Sequence, residues 1–185
     1  DRDRLLSIPA AELLQAAMSL GPGITYGPVV DGHGLRRHPI EALHDGAASD
    51  IPILIGVTKD EYNLFSLTDP SLTRLEEKEL LDRMNREVGP IPEEAVRYYA
   101  ETADRSAPAW QTWLRIMTYL VFVDGMLRTA DAQAAQGANV YMYRFDYETP
   151  AFGGQLKACH TLELPFVFHN LHQPGVENFV GNRPE

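Results

Sequence analysis

Residues 51 to 57 read Ile-Pro-Ile-Leu-Ile-Gly-Val, a short and almost continuously apolar run. A run of this length without polar alternation suits a β-strand buried on both faces, as in a parallel sheet covered by helices. It is far shorter than the ~20 residues needed to span a bilayer, and the sequence holds no longer apolar stretch, so no membrane span is expected. A second run, Asn139 to Tyr147 (NVYMYRFDY), is dense in aromatic and β-branched residues and reads as another strand. Two such strands separated by helical sequence predict an α/β fold with a mostly parallel sheet flanked by helices.

The intervening segments carry helix signals. Residues 8–18 (IPAAELLQAAM) predict a helix with Pro9 in its first turn and Glu12 near its start, ended by Gly21-Pro22-Gly23. Residues 24–38, with Pro28, Asp31-Gly32 and Gly34, read as a loop. Residues 39–45 read as a short helix closed by Gly46. Residues 71–88 predict a charged, solvated helix stopped by Gly89-Pro90, and 92–102 another helix. Residues 109–136 form a long helical stretch with Trp110, Trp113, Leu114, Met117, Leu120, Val121 and Leu127 on one apolar face, and Gly125 is a point of expected breakage or kinking. After Gly137 and the second strand comes a Pro/Gly-rich loop, residues 149–154, then His160, the apolar segment 162–168 and a loop-like tail.

Net charge is −10, from 16 basic and 26 acidic residues, which disfavours a nucleic-acid partner because phosphate neutralisation needs clustered Lys and Arg. Cys159 is the one cysteine, so an intrachain disulfide and a four-cysteine zinc site are excluded. Gathering His160, Glu163, His169 and His172 into a metal site is opposed by Pro165 and by the lack of a helix to set their spacing, so no metal is expected. Cys159 beside His160 reads as an inert cysteine, since adjacent side chains point in different directions. His33 and His38 belong to a solvated loop.

In open α/β sheets, functional groups collect on loops beyond the carboxyl ends of the strands. Lys59-Asp60-Glu61 follows the first strand and His160 follows the second. A carboxylate and an imidazole brought together there can activate a nucleophile: the ring takes the proton and the acid orients the ring. By position alone each residue is as well explained by a solvated turn. Asp60 is read as a cap or structural partner, Glu163 as a group orienting its neighbours, and the Glu76–Glu79 charge run as a solvated helix face.

Three segments carry a family resemblance. Gly27 to Phe65 (GPVVDGHGLRRHPIEALHDGAASDIPILIGVTKDEYNLF), Phe122 to Phe145 (FVDGMLRTADAQAAQGANVYMYRF) and Cys159 to Phe168 (CHTLELPFVF) occur in the order found in type-B carboxylesterases, the cholinesterase-like family. The resemblance covers about Gly27 to Leu171. It implies the C-terminal part of an α/β-hydrolase domain, with Glu61 as triad acid, His160 as triad base and Phe65 beside the substrate pocket. It implies hydrolysis of a small-molecule carboxylic ester without metal or organic cofactor. Tyr62, Tyr119 and Gly125 depart from the family's common Gly, Asp and Pro.

No Gly-x-Ser-x-Gly elbow occurs in the sequence, and none of Ser7, Ser19, Ser49, Ser66, Ser71 and Ser106 lies in a strand–turn–helix context. No glycine-rich oxyanion segment is present either. The 185 residues are therefore expected to be one portion of a larger hydrolase domain, whose N-terminal remainder supplies the nucleophile and most of the parallel strands. Two other readings stand beside this one: a non-catalytic relative used in binding or adhesion, and a self-standing binding module.

Overall fold

The computed structural model describes residues 1–19, 27–90, 92–102 and 107–181. The expected Gly21-Pro22-Gly23 helix stop and Ser106 lie outside the described residues. The chain divides into two compact units, Asp1–Ala42 and Leu43–Glu185.

In the first unit the expected helix at 8–18 is preceded by another. Asp1 accepts the Asp3 N–H and caps α1 (Arg2–Ser7), and Pro9 then serves as the N-cap of α2 (Ala10–Met18). Pro9 cannot continue α1 because it lacks the N–H an interior position needs, yet its fixed φ suits a helix entry. Residues 27–38 form a loop, in which Asp31 Oδ1 accepts the N–H groups of His33 and Leu35. Helix α3 (Pro39–His44) runs across the division and ends before Gly46, whose φ of 83° is the left-handed value glycine adopts without strain.

The second unit is built on two parallel strands, β1 (Ile53–Thr58) and β2 (Val140–Phe145), in register from Ile53↔Val140 to Thr58↔Phe145. Gly56 has a role in this pairing. A Cβ there would collide with the ring of Tyr143, its partner across the ladder, so the glycine makes room for that ring.

The expectation that β1 is covered on both faces is not met. Leu54 is 72 % exposed, and Ile51, Tyr141 and Met142 are exposed as well. Helix α7 (Asp124–Ala135) packs on both strands, but among the described residues no second layer lies over Leu54 and Tyr141. Apolar composition registers the need for cover, and the described residues do not supply it all.

The connection between the strands forms a helical layer with its own core. Leu72, Leu80, Met84, Val96, Trp113, Leu114, Ile116 and Met117 are buried together, and Tyr62, Leu75, Leu81, Tyr99 and Trp110 pack around them. The helix expected at 71–88 is split. A 3-10 turn (Leu72–Arg74) precedes α4 (Glu77–Glu87), which starts at a reciprocal capping box between Glu76 and Glu79. Glu76–Glu79 are exposed as expected, but α4 is not solvated all round, since Leu80 and Met84 are buried. Helix α5 (Glu93–Thr102) falls where the sequence places it.

The stretch 109–136 is unbroken but irregular. Helix α6 (Ala109–Thr118) passes through a π-helical turn, Tyr119–Val123, into α7. The irregularity precedes Gly125 instead of falling on it. The apolar face is also shorter than expected: Trp113, Leu114 and Met117 are buried, while Leu120, Val121 and Leu127 are exposed.

Beyond β2, a second core of Leu156, Cys159, Leu162 and Val180 anchors the C-terminal loops. Residues Ala151–Gly154 make a tight turn with left-handed backbone at Phe152 and Gly153 within the expected loop, the apolar segment forms the short helix α8 (Leu164–Val167), and the expected loop tail holds a short helix α9 (Glu177–Val180). No helix among the described residues is long and apolar enough to cross a membrane.

Candidate active site

Two short segments meet beyond the carboxyl ends of β1 and β2. The first begins at Lys59, whose N–H donates to Phe145 O (2.9 Å) and so prolongs the strand pairing by one step. The chain then turns into a 3-10 helix over Glu61–Thr68. The second segment, residues 155–162, is pinned to the core by the fully buried Leu156, Cys159 and Leu162. It bends sharply at Lys157 (φ 50°) and Thr161 (φ 67°), on either side of His160. Left-handed backbone is costly for non-glycine residues, and where it persists the surroundings enforce it.

Backbone hydrogen bonds lock the two segments together. Asp60 N–H donates to Ala158 O (2.9 Å) and His160 N–H donates to Glu61 O (3.2 Å). Ala158 N–H points back to Asp60 Oδ2 (3.4 Å), which fits the expected structural role of Asp60. Burial raises the Asp60 carboxyl pKa above its ordinary value, against opposing contributions from Lys157 and the Ala158 N–H. Further along, Asn63 Nδ2 donates to Gln155 O (3.1 Å), and the buried Ser66 donates to Asn63 O (2.7 Å). Ser66 is thus a structural hydroxyl.

The result is one close pair. Glu61 Oε2 lies 2.7 Å from His160 Nδ1, across 99 residues of sequence, and Glu61 Oε1 accepts the Thr58 N–H, also at 2.7 Å. The Glu61 side chain is 6 % exposed and that of His160 36 %. A carboxylate only accepts, so the proton of this bond belongs on Nδ1 and the lone pair of the neutral ring on Nε2. The acid is therefore enclosed and held at both oxygens, while the imidazole keeps an accessible side. Such a pair can take a proton from a third group and return it.

Phe65 stands beside this pair, its ring centroid 5.8 Å from that of His160. A second aromatic neighbour, not expected from the sequence, is Phe122 at 4.9 Å. The sequence marks Phe122 as part of the helix 109–136 and of a family-like segment, but a regular 3.6-residue period does not reveal where a π turn aims a side chain.

Other sequence candidates stay apart from this geometry. Cys159 is buried, and desolvation pushes its thiol up to about 12, consistent with an inert cysteine. One carboxylate oxygen of Glu163, Oε2, is buried without a hydrogen-bond partner among the described residues. His33 and His38 are exposed. Among the described residues no three His, Cys, Asp or Glu side chains gather in a metal-binding arrangement.

A carboxylate–imidazole pair beyond the ends of parallel strands, with helices between those strands, defines the class as an α/β protein with an acid–imidazole pair at its strand ends. Comparison with known proteins makes this specific. Residues 3–179 match the model of the carboxylesterase family, and the chain belongs to that family. It is 35% identical over 178 residues to the para-nitrobenzyl esterase of Bacillus subtilis (strain 168), covering 91% of this chain and 34% of that protein. It is 32% identical over 157 residues to the phenmedipham hydrolase of Pseudarthrobacter oxydans, covering 85% and 30%. Among solved structures it matches the carboxylesterase EST55 of Geobacillus stearothermophilus with a TM-score of 0.83 and 82% identity, over 100% of this chain and 38% of that one. The fold is accordingly part of an α/β-hydrolase fold. The chain spans about a third of the length of these relatives.

Proposed function

We propose that this chain supplies the acid and the base of a serine carboxylesterase whose nucleophile and oxyanion hole lie outside the 185 residues. The observation that carries the proposal is the 2.7 Å contact between Glu61 Oε2 and His160 Nδ1. In this reading Nε2 of His160 takes the proton of a serine hydroxyl as its oxygen adds to the ester carbonyl. The protonated ring then gives that proton to the departing alkoxide, leaving an acyl-serine and a free alcohol. Water, deprotonated by the same nitrogen, adds to the acyl group, and the proton returns to serine as the acid leaves. Glu61 keeps the ring in the required tautomer and stabilises the imidazolium.

The substrate is a small-molecule carboxylic ester, and Phe65 forms part of the wall beside His160. The partner is the N-terminal remainder of the same hydrolase domain. It covers the outer face of the sheet at Leu54 and Tyr141 and places its serine against His160. Exposed Leu54 and Tyr141, partners across the ladder and so on one face, support this, because an apolar face of a parallel sheet needs a covering layer.

The test is p-nitrophenyl butyrate hydrolysis by the complete polypeptide and by its His160→Ala variant. Turnover is expected to fall by several orders of magnitude. Unchanged turnover overturns the assignment. Fluorophosphonate labelling of the complete polypeptide separates an esterase from a non-catalytic relative, which would remain unlabelled.

A further inference from the structure

Glu61 holds His160 at a single ring atom, Nδ1. With Cγ covalently anchored, that bond fixes the ring only within the angular tolerance of a hydrogen bond, so a second constraint sharpens the direction of Nε2. The structure supplies one from an unexpected place. The helix running from Ala109 to Ala135 is widened at Tyr119–Val123 into a π turn. Such a turn inserts one extra residue and so rotates the side chains beyond it by about 100° relative to a regular helix. Single π turns inside α-helices are rare and concentrate at functional sites.

The widened turn starts immediately after Thr118, whose Oγ1 accepts the Tyr62 N–H (3.0 Å) and so ties the helix to the segment carrying Glu61. Phe122 sits within the turn. Its ring centroid is 4.9 Å from that of His160 and 6.2 Å from that of Phe65, with the two phenyl planes 25° apart. Phe65 in turn lies 5.8 Å from His160, so the three rings touch one another pairwise. The bracket is backed from behind. Tyr62 packs on Phe65 (5.0 Å) and meets Trp113 edge-on (5.3 Å), and the Arg83 guanidinium lies over Trp113 (4.6 Å). Aromatic contacts of this kind carry orientation preferences that an aliphatic side chain of similar volume lacks.

We propose that Phe122, aimed by the π turn, is a positioning residue that fixes the plane of the His160 imidazole. This rests on the reading of His160 as the catalytic base. Glu61 sets the position of the ring and Phe122 its tilt.

The complete polypeptide carrying Phe122→Leu, Phe122→Met or Phe122→Tyr, with His160→Ala alongside, tests this. Leu and Met fill the space without a flat ring, and kcat is expected to fall about tenfold in both, short of the roughly hundredfold that a full 1 Å misplacement can cost. KM is expected to stay within twofold. The fractional loss is expected to be the same for p-nitrophenyl acetate and butyrate, and Phe122→Tyr is expected to recover at least half of wild-type kcat. Wild-type kcat in the Leu or Met variant overturns the proposal. So does a Tyr variant as slow as the Leu variant, and so does a loss that grows with acyl length, which would make Phe122 a substrate wall. The His160→Ala control separates the two levels. If it is inactive while Phe122→Leu turns over normally, only the positioning role fails. If it is active, the base assignment itself has failed.

Discussion

The Glu61 carboxylate meets two donors from opposite sides: Oε1 takes the N–H of Thr58 at the end of β1, and Oε2 faces Nδ1 of His160. The first bond is local and fixes the side chain as the strand ends. The second spans the sequence and selects the imidazole tautomer. Glu61→Gln preserves an acceptor for Thr58 but can place an amide donor against Nδ1, which favours the wrong tautomer. Turnover of p-nitrophenyl acetate by the complete polypeptide is expected to fall by about 10⁴ with the thermal midpoint little changed, the scale found when a triad acid becomes its amide. A loss below tenfold would remove Glu61 from the mechanism.

Asp60, next in sequence to that acid, carries a different signature. Its carboxyl is raised above the ordinary value mainly by burial. A folded-state pKa above the unfolded one means the folded protein binds this proton more tightly. The stabilising contribution is then complete below about pH 4, the unfolded value, and is lost as pH rises through the folded pKa. Asp60→Asn keeps an oxygen acceptor for the Ala158 N–H and removes the titration. The variant's stability relative to wild type is expected to increase from pH 4 to pH 7, as read by thermal midpoints across that range. A difference that does not change with pH would show that folding does not raise this carboxyl.

How much of this was legible beforehand can be judged residue by residue. The strand near Ile51 to Val57 and the loop position of His160 were visible because short apolar runs and strand-end loops have strong local signatures, whereas the pairing of Glu61 with His160 was implied by the family resemblance, since position alone fits a solvated turn as well. Three features were not legible. The start of α4 was hidden because the Glu76–Glu79 capping box also reads as the interior of a charged helix. The π turn at Tyr119–Val123 was hidden because sequence period presupposes 3.6 residues per turn. The exposure of Leu54 was hidden because hydrophobicity reports that a residue is to be covered, not which part of a polypeptide covers it.

That exposure has a direct consequence for the 185 residues alone. Leu54, Tyr141 and Met142 lie on a two-stranded sheet, and sheets this small rarely persist without further strands or packed layers. The isolated chain is expected to bind an apolar dye such as ANS strongly, to associate at micromolar concentration and to show no esterase activity. Sedimentation velocity and dye fluorescence check this. A monodisperse monomer with a sharp cooperative melt would mean that the chain needs no further cover.

Cys159 tests the second core. It is fully buried beside Leu156 and Leu162, with its thiol pushed up to about 12 by desolvation. A thiol reacts as the thiolate, so the native protein is expected to resist iodoacetamide at pH 8 and to be alkylated at Cys159 quantitatively in urea. Intact-mass measurement reads both states. Rapid native labelling would place this thiol at the surface and undo the assignment of the core that anchors the His160 loop.

The aromatic chain behind His160 ends at Arg83, and its anchoring there is measurable. The guanidinium pairs with Asp69, lies within 2.9 Å of Glu87 and covers the Trp113 ring, with its side chain only 11% exposed. Asp69 is held below the ordinary carboxylate range by hydrogen bonds from Ser71 and then from Arg83. A depressed folded pKa stabilises above the unfolded value and is lost as pH falls through the folded one, so this contribution is present at neutral pH and disappears below about pH 4. Arg83→Ala also removes the charge-assisted bond to Asp69, the ion pair with Glu87 and the cation–π contact, a loss of about 2–3 kcal/mol in a urea unfolding series at pH 7. Arg83→Lys keeps the charge but not the planar fork, and is expected to recover less than half of that. The difference between wild type and Arg83→Ala is expected to narrow below about pH 4, as pH falls through the lowered folded pKa of Asp69. A difference that stays the same throughout the acid range would remove the Asp69 pair from the effect of Arg83.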